Sequence, residues 1–297
     1  MLRDTVASYL ADNYAFDARR AAIRSDAGWR PEVWKAFAEE LGILGAPFSE
    51  ELGGLGGGPV ENMVVMEEFG KALVVEPYMG TVVIGGGFLK HSGHAAAPDL
   101  IEKIIGGEAI FAFAYAEPQA RYTWQDLKTT AVKDGTGYVI NGQKAVVVGA
   151  PWATHLIVTA RTGGGQRDAQ GVSVFLVDKN AKGVTTRDYP TVGAEGHGLP
   201  LVEKVMDEAI AATCAEACGV LRRLQEGTVE YTRTRKQFGV PISSFQVLQH
   251  RMVDMFIQLE QSISMTYMAT IRLSDEAQAR HHDRGGLRVN PPSPGPL

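Results

Sequence analysis

Arg233-Thr234-Arg235-Lys236-Gln237-Phe238-Gly239-Val240-Pro241, continued by Ile242-Ser243-Ser244-Phe245-Gln246-Val247-Leu248-Gln249-His250, decides how this chain is read. Before it, Val202, Val205, Ala209, Thr213, Ala217, Leu221, Leu224 and Thr228 trace a helical stripe toward Tyr231. After it, Phe245, Leu248, Met252, Met255, Leu259 and Ile263 trace a second one. Gly239-Val240-Pro241 stops the first helix, because proline lacks the amide and clashes with the preceding turn. Ser243 with Gln246 is expected to form the capping box of the next. The stretch is therefore an elbow between two long helices. It carries three cations (Arg233, Arg235 and Lys236), a glutamine and an aromatic ring. That set suits a dinucleotide, since a guanidinium fork pairs with phosphate oxygens at two points. The plainer reading is a solvated helix end, where cations meet the negative end of the dipole. Residue types alone leave both open.

Composition bounds the rest. The chain has 297 residues, 45% of them apolar and 21% charged, which fits a globular protein of one large or two modest domains. A net charge of −5 argues against a nucleic-acid surface. No run of about 18 apolar residues predicts a membrane span. No apolar run follows Met1, so no signal peptide is read and a cytoplasmic protein is expected. Cys214 and Cys218 share a helix face at a spacing poor for a disulfide, and read as two small buried side chains. The seven histidines lack zinc spacing, so no metal is expected. Gly163-Gly164-Gly165 lacks the lysine and helix of a phosphate loop, and the glycines from Gly53 to Gly58 follow no strand.

Four segments emerge. Residues 1–108 read as a helical domain: Trp34, Phe37, Leu41 and Leu44 recur at helical spacing, Pro59 opens a helix, and Leu100, Ile101, Ile104 and Ile105 form a short stripe. Residues 109–198 read as a small, incomplete antiparallel β domain. Its expected strands are Ala109 to Tyr115, Leu156 to Thr159 and Val172 to Val177, with a hairpin turning at Asn141-Gly142 between Tyr138-Val139-Ile140 and Ala145-Val146-Val147-Val148. Residues 199–274 read as the long-helix part of an incomplete four-helix bundle, and the proline-rich 275–297 as a disordered tail. The fold class is α+β, mainly α.

Several short motifs then fall in one order. Pro47 to Gly56 resembles a P-x-x-x-G-G-x-G loop, Met66-Glu67-Glu68-Phe69-Gly70-Lys71-Ala72 a V-x-E-E-x-G-R-A helix, Ala116-Glu117-Pro118 a T-E-P strand, Asn141-Gly142-Gln143-Lys144 an N-G-x-K hairpin, and Arg235-Lys236-Gln237-Phe238-Gly239 an R-x-Q-F-G elbow. In this register, over residues 1 to about 270, the chain resembles the acyl-CoA dehydrogenases, and within them small subunits of the pimeloyl-CoA dehydrogenase type. The resemblance implies FAD as cofactor and α,β-dehydrogenation of an acyl-CoA thioester. It implies that Arg235 reaches the FAD pyrophosphate of a neighbouring subunit, with Gln237 and Phe238 on the same nucleotide. Phe113, Tyr115 and Ala116 would run past the flavin ring and bond it through the backbone, with Glu117 also serving the cofactor. The alternation of Phe111, Phe113 and Tyr115 fits a buried strand face equally well.

Departures from the pattern matter as much. The T-E-P threonine is Ala116, the serine that touches the pyrophosphate is Tyr122, and the W-I-T that packs the flavin is Val146-Val147-Val148. Arg121 is a candidate replacement cation. After Asp188 to Gly198 a strand of the family sheet is missing, which would expose sheet edges. The proton-abstracting glutamate is missing too: one family position for it falls on Ala209, and Glu208 beside it would point about 100° away. No catalytic residue is assigned. The chain is expected to work as a homo- or hetero-oligomer with a full-length acyl-CoA dehydrogenase-like subunit that supplies the base. The alternative is a non-catalytic interaction subunit or decayed, truncated homologue.

Overall fold

The computed structural model describes residues 1–120, 123–135, 137–180, 191–192 and 196–274. The expected tail, Arg121, Tyr122 and most of Asp188 to Ala194 lie outside them.

The helical domain is built from α1 (Leu2–Asn13), α2 (Phe16–Ala22), α3 (Pro31–Glu39), α4 (Pro59–Ala72), α5 (Gly86–Ser92) and α6 (Ala97–Ile105). A π-helical turn, Met79–Gly85, leads into α5. Pro31 and Pro59 stand at the first helical turn, where the missing amide costs nothing. Trp34 and Phe37 of α3 are buried as their spacing predicts, but Leu44 enters the core from the 3-10 turn Ile43–Gly45.

Six strands follow: β1 (Phe111–Ala114), β2 (Thr130–Asp134), β3 (Gly137–Asn141), β4 (His155–Arg161), β5 (Val172–Asp178) and β6 (Thr191–Val192). Their order is β3-β2-β4-β5-β6, with β1 on β4. The sheet is mixed rather than wholly antiparallel, because β1 and the first residue of β2 both meet β4 in parallel. The hairpin also differs from expectation. It joins β2 to β3 and turns through Gly135 at φ +60°, while Asn141 ends β3. Gly142 is a glycine for a different reason, since a Cβ there would lie 2.4 Å from the Thr129 hydroxyl. Among the described residues β5 is flanked on its outer side by the two residues of β6 and a single bridge to His197.

Two long helices complete the chain: α7 (Gly198–Thr234) and α8 (Gln246–Ser274), joined by a ribbon of β7 (Lys236–Gln237) and β8 (Val240–Pro241). The expected stripe holds for Val202, Val205 and Ala209, which are buried, and fails at Thr213, Ala217, Leu221 and Leu224, which are exposed. A constant step of four residues drifts about 40° per step from the helical period. The true seam turns to Ala212, Ala215, Cys218 and Gly219. The capping box at Ser243 does not form either. Ile242–Ser244 make a 3-10 turn and α8 starts at Gln246. Cys218 is buried, Cys214 half-buried, and both are free thiols.

The crossing of α4 and α7 is the tightest contact in the fold. Gly70 of α4 lies against Glu216, and Gly219 of α7 against Glu67. Around it, the sequence reading missed two buried carboxylates. Arg3 bonds Glu67 at 2.7 Å and Glu68 at 2.5 Å, Arg222 bonds Glu67 at 3.0 Å, and Lys71 bonds Glu68 at 2.7 Å. Buried charges persist only when paired, and these pairs tie α1, α4 and α7 together. A Cβ at Gly219 would stand 1.9 Å from the Glu67 carbonyl oxygen, so Gly219→Ala must force the helices apart. We expect it to destabilise the fold by roughly 3 kcal/mol, whereas Gly227→Ala on the same helix, with open space at its Cβ, should stabilise it by about 1 kcal/mol. Urea unfolding of the two variants checks the contrast; equal midpoints would refute the close crossing.

Candidate cofactor site

β1 begins against the π-helical turn, where the Phe111 amide donates to the Thr81 hydroxyl at 3.1 Å. It pairs with β4 alone among the described strands, so its other edge is unpaired by any strand. An unpaired edge offers alternate N–H and C=O groups to a ligand. Phe113 is buried and lies in a series of rings: Phe88 at 4.9 Å, Tyr115 at 5.0 Å, and Trp124 a further 4.9 Å on. Its side chain is core. Tyr115 and Ala116 are half-buried at the end of the strand.

Glu117 is a correction to the sequence reading. Its side chain turns inward and is bonded by protein donors on both oxygens. It accepts bonds from Lys144 Nζ at 2.8 Å, Gln119 Nε2 at 2.8 Å, and the amides of Lys128 and Thr129 at 2.7 and 3.2 Å. Burial alone would raise its pKa, but the bonds from Lys144, Gln119, Thr129 and Lys128 outweigh burial and bring it to about 2. Burial lowers the Lys144 pKa from its ordinary value, with Glu117 pulling the other way. Both motif residues were visible in the sequence. Their pairing across 27 positions was not, because only the sheet brings them together.

Arg235, Gln237 and Phe238 stand together at the elbow, all exposed. Phe238 and Gly239 both have positive φ, 53° and 82°, which is the turn a two-residue ribbon requires. The turn leaves the Phe238 ring 91% exposed, with an edge contact to the Phe245 ring at 6.1 Å. A bare phenylalanine in a left-handed backbone is costly unless something covers it.

The two groups are not near one another. The Phe88–Phe113–Tyr115 series reaches α7 beside Gly87 and Val205, near its start, and the elbow follows its last turn. Thirty helical residues separate Val205 from Arg235, or about 45 Å.

Glu208 faces α5, as its offset from Ala209 implies. It bonds His91 Nε2 at 2.6 Å and Lys90 Nζ at 3.3 Å, partners that sequence spacing did not suggest. Burial would raise its pKa, but His91 and Lys90 outweigh that and hold it below the ordinary value. It is a stabilised carboxylate bonded to a lysine and a histidine, not a poised base. Among the described residues no three His, Cys, Asp or Glu side chains gather as a metal site, and no helix is long and apolar enough to cross a membrane.

FAD fits what is present, though through few side chains. The free edge of β1 offers backbone bonds regardless of the missing threonine. Val146 and Val148 stand exposed beside Ala116, whose carbonyl accepts the Ala145 amide at 2.8 Å. The elbow supplies a guanidinium, an amide and a ring.

Comparison with known proteins agrees. Residues 1–108 match the N-terminal domain of acyl-CoA dehydrogenases, 112–205 the middle domain and 196–285 the C-terminal domain. The acyl-CoA dehydrogenase IpdE2 of Mycobacterium tuberculosis is 32% identical over 87% of this chain and 71% of its own length. The benzylmalonyl-CoA dehydrogenase of Aromatoleum aromaticum is 29% identical over 90% of this chain and 77% of its own. Among solved structures, the FAD complex of PigA superposes with a TM-score of 0.82 at 26% identity, over 93% of this chain and 79% of that one. A mainly helical α+β fold, a flavin-compatible strand edge and three consecutive domain matches converge: the chain belongs to the acyl-CoA dehydrogenase family, the FAD-dependent oxidoreductases of acyl-CoA thioesters.

Proposed function

We propose that this chain is one subunit of an oligomeric acyl-CoA dehydrogenase that shares its FAD with a neighbouring chain and takes its catalytic base from a partner. The observation that supports the reading is the placing of the two groups along α7: the Phe88–Phe113 contact reaches the helix beside Val205, and the elbow follows its last turn, about 45 Å of helix further on. One dinucleotide does not span that distance. The two groups serve one cofactor only if they come from different chains. A second copy could share the cofactor, but the base has to come from a full-length relative, since a second copy carries the same Ala209 and the same committed Glu208.

Bound FAD supplies the hydride acceptor for the thioester β-carbon. The chain's own groups would then divide the work. The backbone of residues 113–116 orients the ring, Val146 and Val148 shield it from water, and Arg235 neutralises the pyrophosphate of the adjoining subunit. Proton removal from the α-carbon needs a carboxylate. Ala209 cannot provide one, and Glu208 is committed to His91 and Lys90.

The outer face of α8 supports the partner. Val253, Phe256, Ile257 and Ile271 are 45–63% exposed, and Leu224 of α7 is 56% exposed. No described residue covers them. Several large apolar side chains exposed along one helix are what an interface would cover. Substrate class follows the family, an acyl-CoA thioester.

The purified protein should show a flavin absorption band and a mass above one chain. Alone it should not reduce an artificial electron acceptor with an acyl-CoA, and a full-length relative should restore turnover. A colourless protein that takes up no flavin on titration would refute the cofactor reading; turnover by the isolated chain would refute the borrowed base. In the restored assembly Glu208→Gln should change the rate less than about twofold, whereas loss of a true general base costs on the order of 100- to 10,000-fold.

A further inference from the structure

We propose that Lys144, through its buried ion pair with Glu117, is the positioning residue of the flavin site, fixing the end of β1 and the 145–148 segment in register as one surface for the ring. The inference rests on the FAD reading above and adds a role for side chains that face away from the cofactor.

Two consecutive residues clamp onto two consecutive residues. Lys144 Nζ donates to the Tyr115 carbonyl at 3.4 Å, and the Ala145 amide donates to the Ala116 carbonyl at 2.8 Å. The same ammonium bonds Glu117 at 2.8 Å and the Thr159 hydroxyl on β4 at 3.1 Å. Glu117 collects the amides of Lys128 and Thr129 on its other side. Four separate stretches of chain therefore meet at one ion pair, and neither partner has a group left for a ligand.

What the clamp holds is strained. Val146, directly after it, has φ +52°. A β-branched residue there is an outlier that costs on the order of 1–3 kcal/mol. Its side chain is nonetheless 84% exposed, and Val148 is 79% exposed, while Val147 between them packs toward the sheet core. A free loop would relax and turn its valines inward. Held at Lys144 and Ala145 on one side and by Val147 on the other, this one keeps two apolar side chains presented beside Tyr115 and Ala116. Such a lip offers nothing to a phosphate or a sugar and suits the face of a flat ring. A buried ion pair gives little net stability over an apolar filling but can enforce one geometry, which is the property required here.

The test is titration of apoprotein with FAD and, in parallel, with ADP, following flavin fluorescence and the visible band. Lys144→Met should raise the FAD dissociation constant at least 10-fold and blur the band toward that of flavin in water, with ADP affinity within twofold of wild type. Val146→Gly, which relaxes the backbone and deletes one valine, should weaken FAD several-fold with no fall in thermal midpoint. Glu117→Gln, which keeps the size and most of the bonds, should shift FAD in the same direction but less, and it decides the matter if Lys144→Met does not fold. Folded variants that bind FAD with wild-type affinity and spectrum would overturn the proposal. So would FAD and ADP affinities falling together, the mark of a merely structural role. A wild-type protein that binds ADP but no FAD would refute the flavin reading itself, and the positioning role with it.

Discussion

The length of α7 is the constraint on which everything else depends. A helix of 37 residues is rigid enough to fix the distance between its ends, and it packs against α5 and Val174 of the sheet near one end and carries the elbow at the other. It is anchored where α4 crosses it, at Gly70 and Gly219, by a contact that leaves no room for a side chain and by the Arg3, Arg222 and Lys71 bonds to Glu67 and Glu68. In the proposed assembly, cofactor binding and association would be one equilibrium: each subunit would offer half of two sites, so whatever favours association would raise affinity for the nucleotide, and bound nucleotide would return the same free energy to the interface.

The flavin side of the site relies on backbone and shape. Ala116 has lost a hydroxyl, and three valines replace the residues that pack and bond the ring in the family pattern. A strand edge bonds a ligand whatever side chains it carries, provided its geometry is held. That makes the groups that hold it matter more than usual. The Glu117–Lys144 pair and the strained Val146 are the visible means of doing so. The chemistry side is poorer still: Glu208, the carboxylate next in sequence to the expected base position, is turned to α5 and spent on His91 and Lys90.

Much of this architecture was legible in the sequence. Periodicity located α4, α6, α7 and α8, and the elbow residues were recognised from charge, aromaticity and a Gly-x-Pro stop. What was not legible required contacts between distant residues. Asn141-Gly142 carries the strongest local hairpin signal, yet the turn forms at Gly135, because Gly142 must lie against Thr129 and Lys144 must reach Glu117. The α7 stripe was lost beyond Ala209 because a four-residue step does not follow the helix. The Ser243 cap failed because the chain leaves the ribbon through a 3-10 turn. The burial of Glu67 and Glu68 was not read from the sequence, since partners that make it possible lie on α1 and α7. Glu117 read as a cofactor ligand and proved to be a brace.

The most direct measurement is an experimental structure of the assembled, FAD-loaded protein. The account predicts an isoalloxazine against residues 113–116 and 145–148 of one chain, with its pyrophosphate bonded by Arg235 of another. A nucleotide held wholly within one chain, or an elbow facing bulk water with Phe238 uncovered, would contradict it.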